Sequence, residues 1–171
     1  MSIIIGIDPS IDNCGLAIFQ EKEGKKMLIL LGCNAFECCQ HILTLAPNLS
    51  GVFLEDVNAD SPVFPSKKAA NFAANMMTAQ NVGKNKGAQL IIEQALSRVS
   101  CPIVKIAPSS RNRVREDRKD VGAWLQALTM PTKTTAEQFR YLAQQWGVEI
   151  ASTGNKDSRD AATLLQRIFV K

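Results

Sequence analysis

Ile5-Gly6-Ile7-Asp8-Pro9-Ser10, followed shortly by Gly15-Leu16-Ala17, is the stretch that decides the fold. The β-branched run over residues 3–8 ends at a carboxylate and a proline turn, and a second apolar run covers 14–19, so the two read as paired strands. A third strand over 27–33 follows the polar Glu21–Lys26 connection, which gives a three-stranded antiparallel meander. Beyond it, Phe36, Cys39 and Leu43 have helical spacing over 36–45, and Pro47 ends that helix. Gly51-Val52-Phe53-Leu54-Glu55-Asp56-Val57 reads as a buried strand finishing in carboxylates. The proline-containing stretch 58–65 is a loop, and 66–98 is helical with a bend or break expected at Gly83–Gly87. A fifth strand lies at 102–107, helices at 116–128 and 134–146, an extended link at 148–151 and a closing helix at 158–168. The order β-β-β-α-β-α-β-α specifies an α/β fold with a five-stranded mixed sheet flanked by helices, in one domain over residues 1–171.

Composition agrees with that assignment. The chain has 171 residues, 46% of them hydrophobic and 21% charged, enough to bury a core. Its net charge of +4 is unevenly placed. Residues 1–97 hold 7 basic and 9 acidic side chains, a balance of −2, and residues 98–171 hold 13 basic and 7 acidic, a balance of +6. The densest basic stretch carries Lys105, Arg111, Arg113, Arg115, Arg118 and Lys119, donors that suit phosphate oxygens, although a solvated loop entering a helix would look the same. The five cysteines form no disulfide framework, so a reducing intracellular compartment is expected. The short N-terminal apolar run lacks the features of a secretory leader. No stretch of about 18 apolar residues offers a membrane span.

The acids stand at positions where side chains converge. Asp8 closes the first strand and Glu55 and Asp56 close the fourth, each beside an abrupt turn. Asp157 and Asp160, three residues apart, fall on one side of a helix. A helix cap at Asp157 and a first-turn acid at Asp160 would be an ordinary structural explanation of that pair. Glu55 and Asp56, neighbours on an extended strand, point to opposite faces, so only one of the two can join the other acids. Clustered ionised carboxylates repel, and hard oxygen donors suit Mg²⁺ or Mn²⁺ as the compensating cation.

In this order the motifs resemble those of the RuvC-like Holliday junction resolvases, within the RNase H-like and retroviral-integrase nuclease superfamily. Ile5–Ser10 with Gly15-Leu16-Ala17 is similar to the family's opening strand-turn-strand. Phe53-Leu54-Glu55-Asp56-Val57 resembles its second acidic strand, and Asp157-Ser158-Arg159-Asp160-Ala161-Ala162 its C-terminal Asp-x-x-Asp-Ala helix. Residues 79–88 and 103–108 resemble its glycine-containing helical region and its fifth strand, so the likeness spans almost the whole chain.

The resemblance implies an RNase H-like fold and cleavage of four-way DNA junctions by two-metal hydrolysis, leaving 5′ phosphates and 3′ hydroxyls. Asp8, Glu55, Asp157 and Asp160 would be the catalytic and metal-binding carboxylates for two Mg²⁺ ions, with Mn²⁺ as a substitute. Asp8 would bridge the ions and the other three would complete their shells. A homodimer on branched DNA is implied too; the Ala, Met and Leu side chains of the Asn71–Ile92 region would suit its contact, and the same composition would equally serve an intramolecular helix-on-sheet core.

Lys84, Lys86, Lys105, Arg111, Arg113, Arg115, Arg118, Lys119 and Lys156 are the candidate DNA-binding residues. Phe64 is a candidate wedge for an opened junction, though loop packing would also account for it. A broader branched or flap nuclease of the same fold, or a catalytically silent DNA-structure-binding protein, are the alternatives. Cys33, Cys38, Cys39 and His41 do not have the spacing of a zinc motif and read as structural. Trp124 and Trp146 read as core or interface anchors.

Overall fold

The computed structural model describes residues 2–59, 72–107, 136–152, 154–165 and 168. Strand β1 (Ser2–Asp8) pairs antiparallel with β2 (Cys14–Lys22), which pairs antiparallel with β3 (Lys25–Cys33). The meander is longer than its apolar runs. Strands β2 and β3 continue through the polar residues of the expected connection and close on Glu23-Gly24, whose positive φ values of 53° and 78° make a tight two-residue hairpin. Exposed strand ends carry no alternating apolar pattern, and the Glu21–Lys26 cross-strand pair takes its place.

Helix α1 (Ala35–Leu45) starts in a capping box: Asn34 accepts from the backbone N–H groups of Phe36 and Glu37, and the Glu37 carboxylate accepts from the Asn34 N–H. A 3₁₀ turn (Ala46–Asn48) holding Pro47 leads to β4 (Leu49–Glu55), parallel to β1. Helix α2 (Phe72–Leu96) runs unbroken through Gly83 and Gly87, against the expected bend. Each helical glycine costs about 1 kcal/mol relative to alanine. Burial of Ala88, Gln89, Ile92, Ala95 and Leu96 in the following turns holds the helix regular. Strand β5 (Ile103–Ile106) pairs parallel with β4.

Helix α3 (Ala136–Gln145) and helix α4 (Lys156–Leu164) flank β6 (Glu149–Ile150), which pairs parallel with β3. Among the described residues the sheet therefore has six strands in the order β5-β4-β1-β2-β3-β6, one more than the sequence predicts. The residues expected to form an extended link supply the extra strand. Two residues are too few to show a pattern, and the neighbouring contacts are tertiary: the Ala151 N–H donates to the Leu28 carbonyl at 3.0 Å and the Ser152 hydroxyl to the Leu30 carbonyl at 2.6 Å.

Strand alternation sorts the core into two layers. Ile3, Ile5, Ile7, Leu16, Ile18, Val52 and Leu54 pack with Cys38 and Ile42 of α1 and Ile92, Ala95 and Leu96 of α2. Ala17, Phe19, Leu28 and Leu30 face the other way and pack with Phe139 of α3 and Ala161, Ala162 and Leu165 of the α4 segment. Helices thus cover both faces, as parallel strand pairs require. Among the described residues no helix is long and apolar enough to cross a membrane. The helix expected at 116–128, with Trp124, lies outside the described residues.

Candidate metal centre

Three glycine positions bring helix α4 close to the sheet. Asp8 of β1 stands opposite Gly15 of β2, and Gly15 opposite Gly32 of β3, so the three form one row across the strands. A Cβ on Gly15 would overlap the Asp157 carbonyl, one on Gly32 the Asn155 side chain, and one on Gly6 the Ala161 carbonyl. The helix backbone therefore lies directly on the strands, and side chains of its first turns reach the end of β1.

The start of α4 is fixed locally. The Asn155 Oδ1 accepts the Ser158 N–H at 2.8 Å, an N-cap worth about 1 kcal/mol, and the buried Ser158 hydroxyl donates to the Asn155 carbonyl at 3.0 Å. Gly154 precedes it at φ 53°, in the left-handed region. Asn155, and not Asp157, is the cap, which leaves the carboxylate of Asp157 available for other contacts.

Carboxylate oxygens of Asp8, Asp157 and Asp160 all lie within 4.8 Å of one another. Asp160 is buried, and Asp8 and Asp157 are half-buried. Lys156 is their neighbouring cation: its Nζ donates to Asp160 Oδ2 at 2.8 Å and stands 3.8 Å from Asp157 Oδ1. The hydrogen bond to Asp160 raises the ammonium's pKa above the usual lysine value despite partial burial, and the charges of Asp160, Asp157 and Asp8 add to the effect.

Glu55 flanks this trio and is not part of the 4.8 Å cluster. It ends β4, one residue beyond the Ile7–Leu54 pair that precedes Asp8 on β1. Phe53 packs in the α4 layer and Leu54 in the α2 layer, so alternation returns Glu55 to the α4 side, where it is 5% exposed. Asp56 turns to the opposite layer and accepts from Gln89 Nε2 of α2 at 2.9 Å. Among the described residues, the donors gathered around Asp8 are carboxylate oxygens, crowded and partly desolvated, with the Lys156 ammonium against them. Such a set fits a hard divalent cation.

The four candidate DNA-binding residues among the described ones lie on three elements, α2, β5 and α4. Lys84 lies on α2, 3.8 Å from Asp12 in the β1–β2 turn, and Lys86 lies two residues further on. Lys105 of β5 pairs with Glu93 of α2 at 2.9 Å. Burial works to raise the Glu93 pKa, but hydrogen bonds from Lys105 and Gln89 outweigh it, so the carboxyl titrates below its usual range. Phe64, Arg111, Arg113, Arg115, Arg118 and Lys119 lie outside the described residues.

Reading by motif missed the residues that seat α4: Gly6, Gly15, Gly32 and Asn155. Pairing the two strand ends in register would have revealed that Gly15 and Gly32 share a row with Asp8. It also missed Cys14. Sγ atoms of Cys14, Cys33 and Cys38 lie within 4.8 Å of one another in the α1 layer, and Cys39 is outside that group.

No model of a known protein family matches the sequence, and no curated protein matches it. Among solved structures the chain is similar to Thermus thermophilus RuvC in complex with a Holliday junction substrate. That match has 15% identity and a TM-score of 0.51, and it covers 99% of this chain and 94% of that one. The chain is also similar to the yeast mitochondrial Holliday junction resolvase, at 9% identity and a TM-score of 0.50 over 98% of this chain and 79% of that one. The fold is RuvC-like.

Proposed function

We propose that the chain is a metal-dependent endonuclease that resolves four-way DNA junctions, leaving 5′ phosphates and 3′ hydroxyls. One observation carries this reading: on a RuvC-like scaffold, Asp8, Asp157 and Asp160 offer carboxylate oxygens within 4.8 Å of one another, with buried Glu55 on the adjacent strand. These four residues would hold two divalent ions, Mg²⁺ or Mn²⁺ in its place, which when bound supply Lewis acidity toward the scissile phosphate and acidify the attacking water.

The protein's own part is positioning. Backbone contact of α4 with Gly6 and Gly15, and of the Asn155 side chain with Gly32, fixes Asp157 and Asp160 relative to Asp8, so the acids need little reorganisation to bind cations. Lys156 offsets part of their repulsion and lies beside the site as a contact for a phosphate oxygen. Lys84, Lys86, Lys105, Arg111, Arg113, Arg115, Arg118 and Lys119 act on the phosphate backbone as a group, and Phe64 enters the opened junction. A four-way junction presents two symmetry-related strands for cutting, so one carboxylate site per chain calls for a homodimer. The protein works in a reducing intracellular compartment, consistent with the free thiols of all five cysteines.

Labelled four-way junction, flap, linear duplex and RNA–DNA hybrid, each incubated with Mg²⁺ or EDTA, test the reading. Symmetric cutting of the junction in Mg²⁺ alone supports it. Equal cutting of flap and junction would make the protein a general branched-DNA nuclease, and junction binding without any cutting would make it a binding module. Asp8→Asn should keep junction binding and lose cleavage by about 10³-fold or more. Undiminished cleavage would overturn the assignment of Asp8. Sedimentation equilibrium should give about twice the chain mass of 18.7 kDa, and an active monomer would refute the dimer.

A further inference from the structure

Three buried thiols meet on the sheet face opposite the carboxylates. Cys14 opens β2, Cys33 ends β3 as its direct cross-strand partner, and Cys38 lies in the first turns of α1. Each comes from a different element, all three are buried, and their sulfurs lie within 4.8 Å of one another. A tetrahedral ion with metal–sulfur bonds of about 2.3 Å needs sulfurs about 3.8 Å apart, so the cluster requires only small side-chain adjustment. His41 is one turn beyond Cys38 on α1, exposed and outside the 4.8 Å group, but near enough for its charge to act on Cys33, so a turn of its ring would bring it in.

We propose that Cys14, Cys33 and Cys38, completed by His41, form a structural site for a thiophilic divalent cation of the Zn²⁺ type. Three sulfurs and one imidazole make one of the usual closed tetrahedral sets, and thiolates select a soft ion over Mg²⁺. The hydrogen-bonding pattern supports this reading. The Cys14 thiol donates to the Gly15 carbonyl at 3.9 Å and the Cys33 thiol to the Cys14 carbonyl at 3.8 Å, long contacts that a bound cation would replace with release of the protons. Cys39 donates to the Ile91 carbonyl at 3.7 Å and takes no part. Spacing in the sequence could not show this set, because Cys14 joins from another strand through register.

The site would brace the turn that carries Asp8 toward the sheet end. The Ala35 N–H of α1 already donates to the Ile11 carbonyl of that turn at 3.0 Å, and a cation on Cys14, Cys33 and Cys38 would tie the same two segments again.

The test uses the full chain, purified under reducing conditions, stripped with a strong chelator and titrated with Co²⁺ and then Zn²⁺. One equivalent of Co²⁺ should give sulfur-to-cobalt charge-transfer absorption that Zn²⁺ abolishes and excess Mg²⁺ does not. Zn²⁺ at about a hundredfold over its Kd should raise Tm by about 5–10 °C. Cys14→Ser, Cys33→Ser and Cys38→Ser should each lose the absorption, and Cys39→Ser and Cys101→Ser should keep it. His41→Ala should shift the visible cobalt bands, and unchanged bands would refute the fourth ligand. X-ray absorption of the Zn²⁺-loaded wild-type chain needs no variant to fold, and should give a shell of three sulfurs and one nitrogen. Absence of the charge-transfer band, its survival in Cys14→Ser, or a shell without sulfur would overturn the proposal.

Discussion

Replacing Gly15 with alanine tests how the acid cluster is built. The added methyl meets the Asp157 carbonyl, the Asp157 carbonyl carbon and the Ser158 nitrogen, all backbone atoms, so no side chain can turn away to make room. Helix α4 must retreat from the sheet by about 1 Å or more. Overpacking of this kind costs about 1–3 kcal/mol, and here the upper end applies because main chain opposes main chain. For a chain of 171 residues that corresponds to a fall in Tm of about 6–12 °C. The same retreat carries Asp157 and Asp160 away from Asp8, and a misplacement of about 1 Å at a reacting centre costs about 10²-fold in rate.

Thermal melts and junction cleavage at saturating Mg²⁺ give the two readouts. Gly83→Ala is the control: nothing lies within 4 Å of a Cβ there and the residue is helical, so the change should stabilise the chain by up to about 1 kcal/mol. A Gly15→Ala protein that melts and cleaves as the wild type does would refute the close seating of α4.

Lys156→Met should destabilise the metal-free chain by exposing the repulsion among Asp8, Asp157 and Asp160. Because the Lys156 pKa is raised on folding, its contribution is complete below about pH 10.4 and is lost as pH rises through the folded value. Urea denaturation across the alkaline range should therefore fall more steeply for the wild type than for the variant. The effect is modest for a half-exposed ammonium, and parallel curves would refute it. Glu93→Gln acts at the other end of the scale. A carboxylate lowered on folding stabilises above about pH 4.3 and loses that contribution as pH falls through the folded value, so the variant should show a flatter acid limb in the same measurement. Neutralising Arg111, Arg113 and Arg115 together should reduce the slope of log K for junction binding against log salt by about 2.7, and an unchanged slope would remove them from the phosphate grip.

The parts of the molecule that follow from local pattern were legible in the sequence. Ile3, Ile5 and Ile7 alternate toward one layer, which points Asp8 to the other, and the same parity separates Glu55 from Asp56. The spacing of Asp157 and Asp160 puts both on one helical side, and the structure brings both to Asp8. Features set by register or tertiary support were not legible. Strand β6 exists through its pairing with Met27 and Leu28. Helix α2 survives its two glycines through packing in later turns. The roles of Gly15 and Gly32 depend on a helix more than a hundred residues away in the chain. The pairing of Lys105 with Glu93 was not legible either, because it depends on α2 lying beside β5.

Adjacent residues on β2 connect the two clusters through the sheet. Cys14 faces the α1 layer and contributes a sulfur, while Gly15 faces α4 and contributes only the space in which Asp157 sits. The pleat separates hard oxygen donors on one face from soft sulfur donors on the other, which limits competition between a Mg²⁺-type and a Zn²⁺-type ion. It also couples them mechanically, because a shift of the Cys14–Gly15 peptide toward either layer alters packing in the other. On that basis, soft-metal occupancy at Cys14 should affect cleavage through the position of α4, with no thiol reaching the DNA. Zn²⁺ removal should therefore reproduce in weaker form the effect of Gly15→Ala, lowering Tm and the cleavage rate together while leaving junction affinity unchanged.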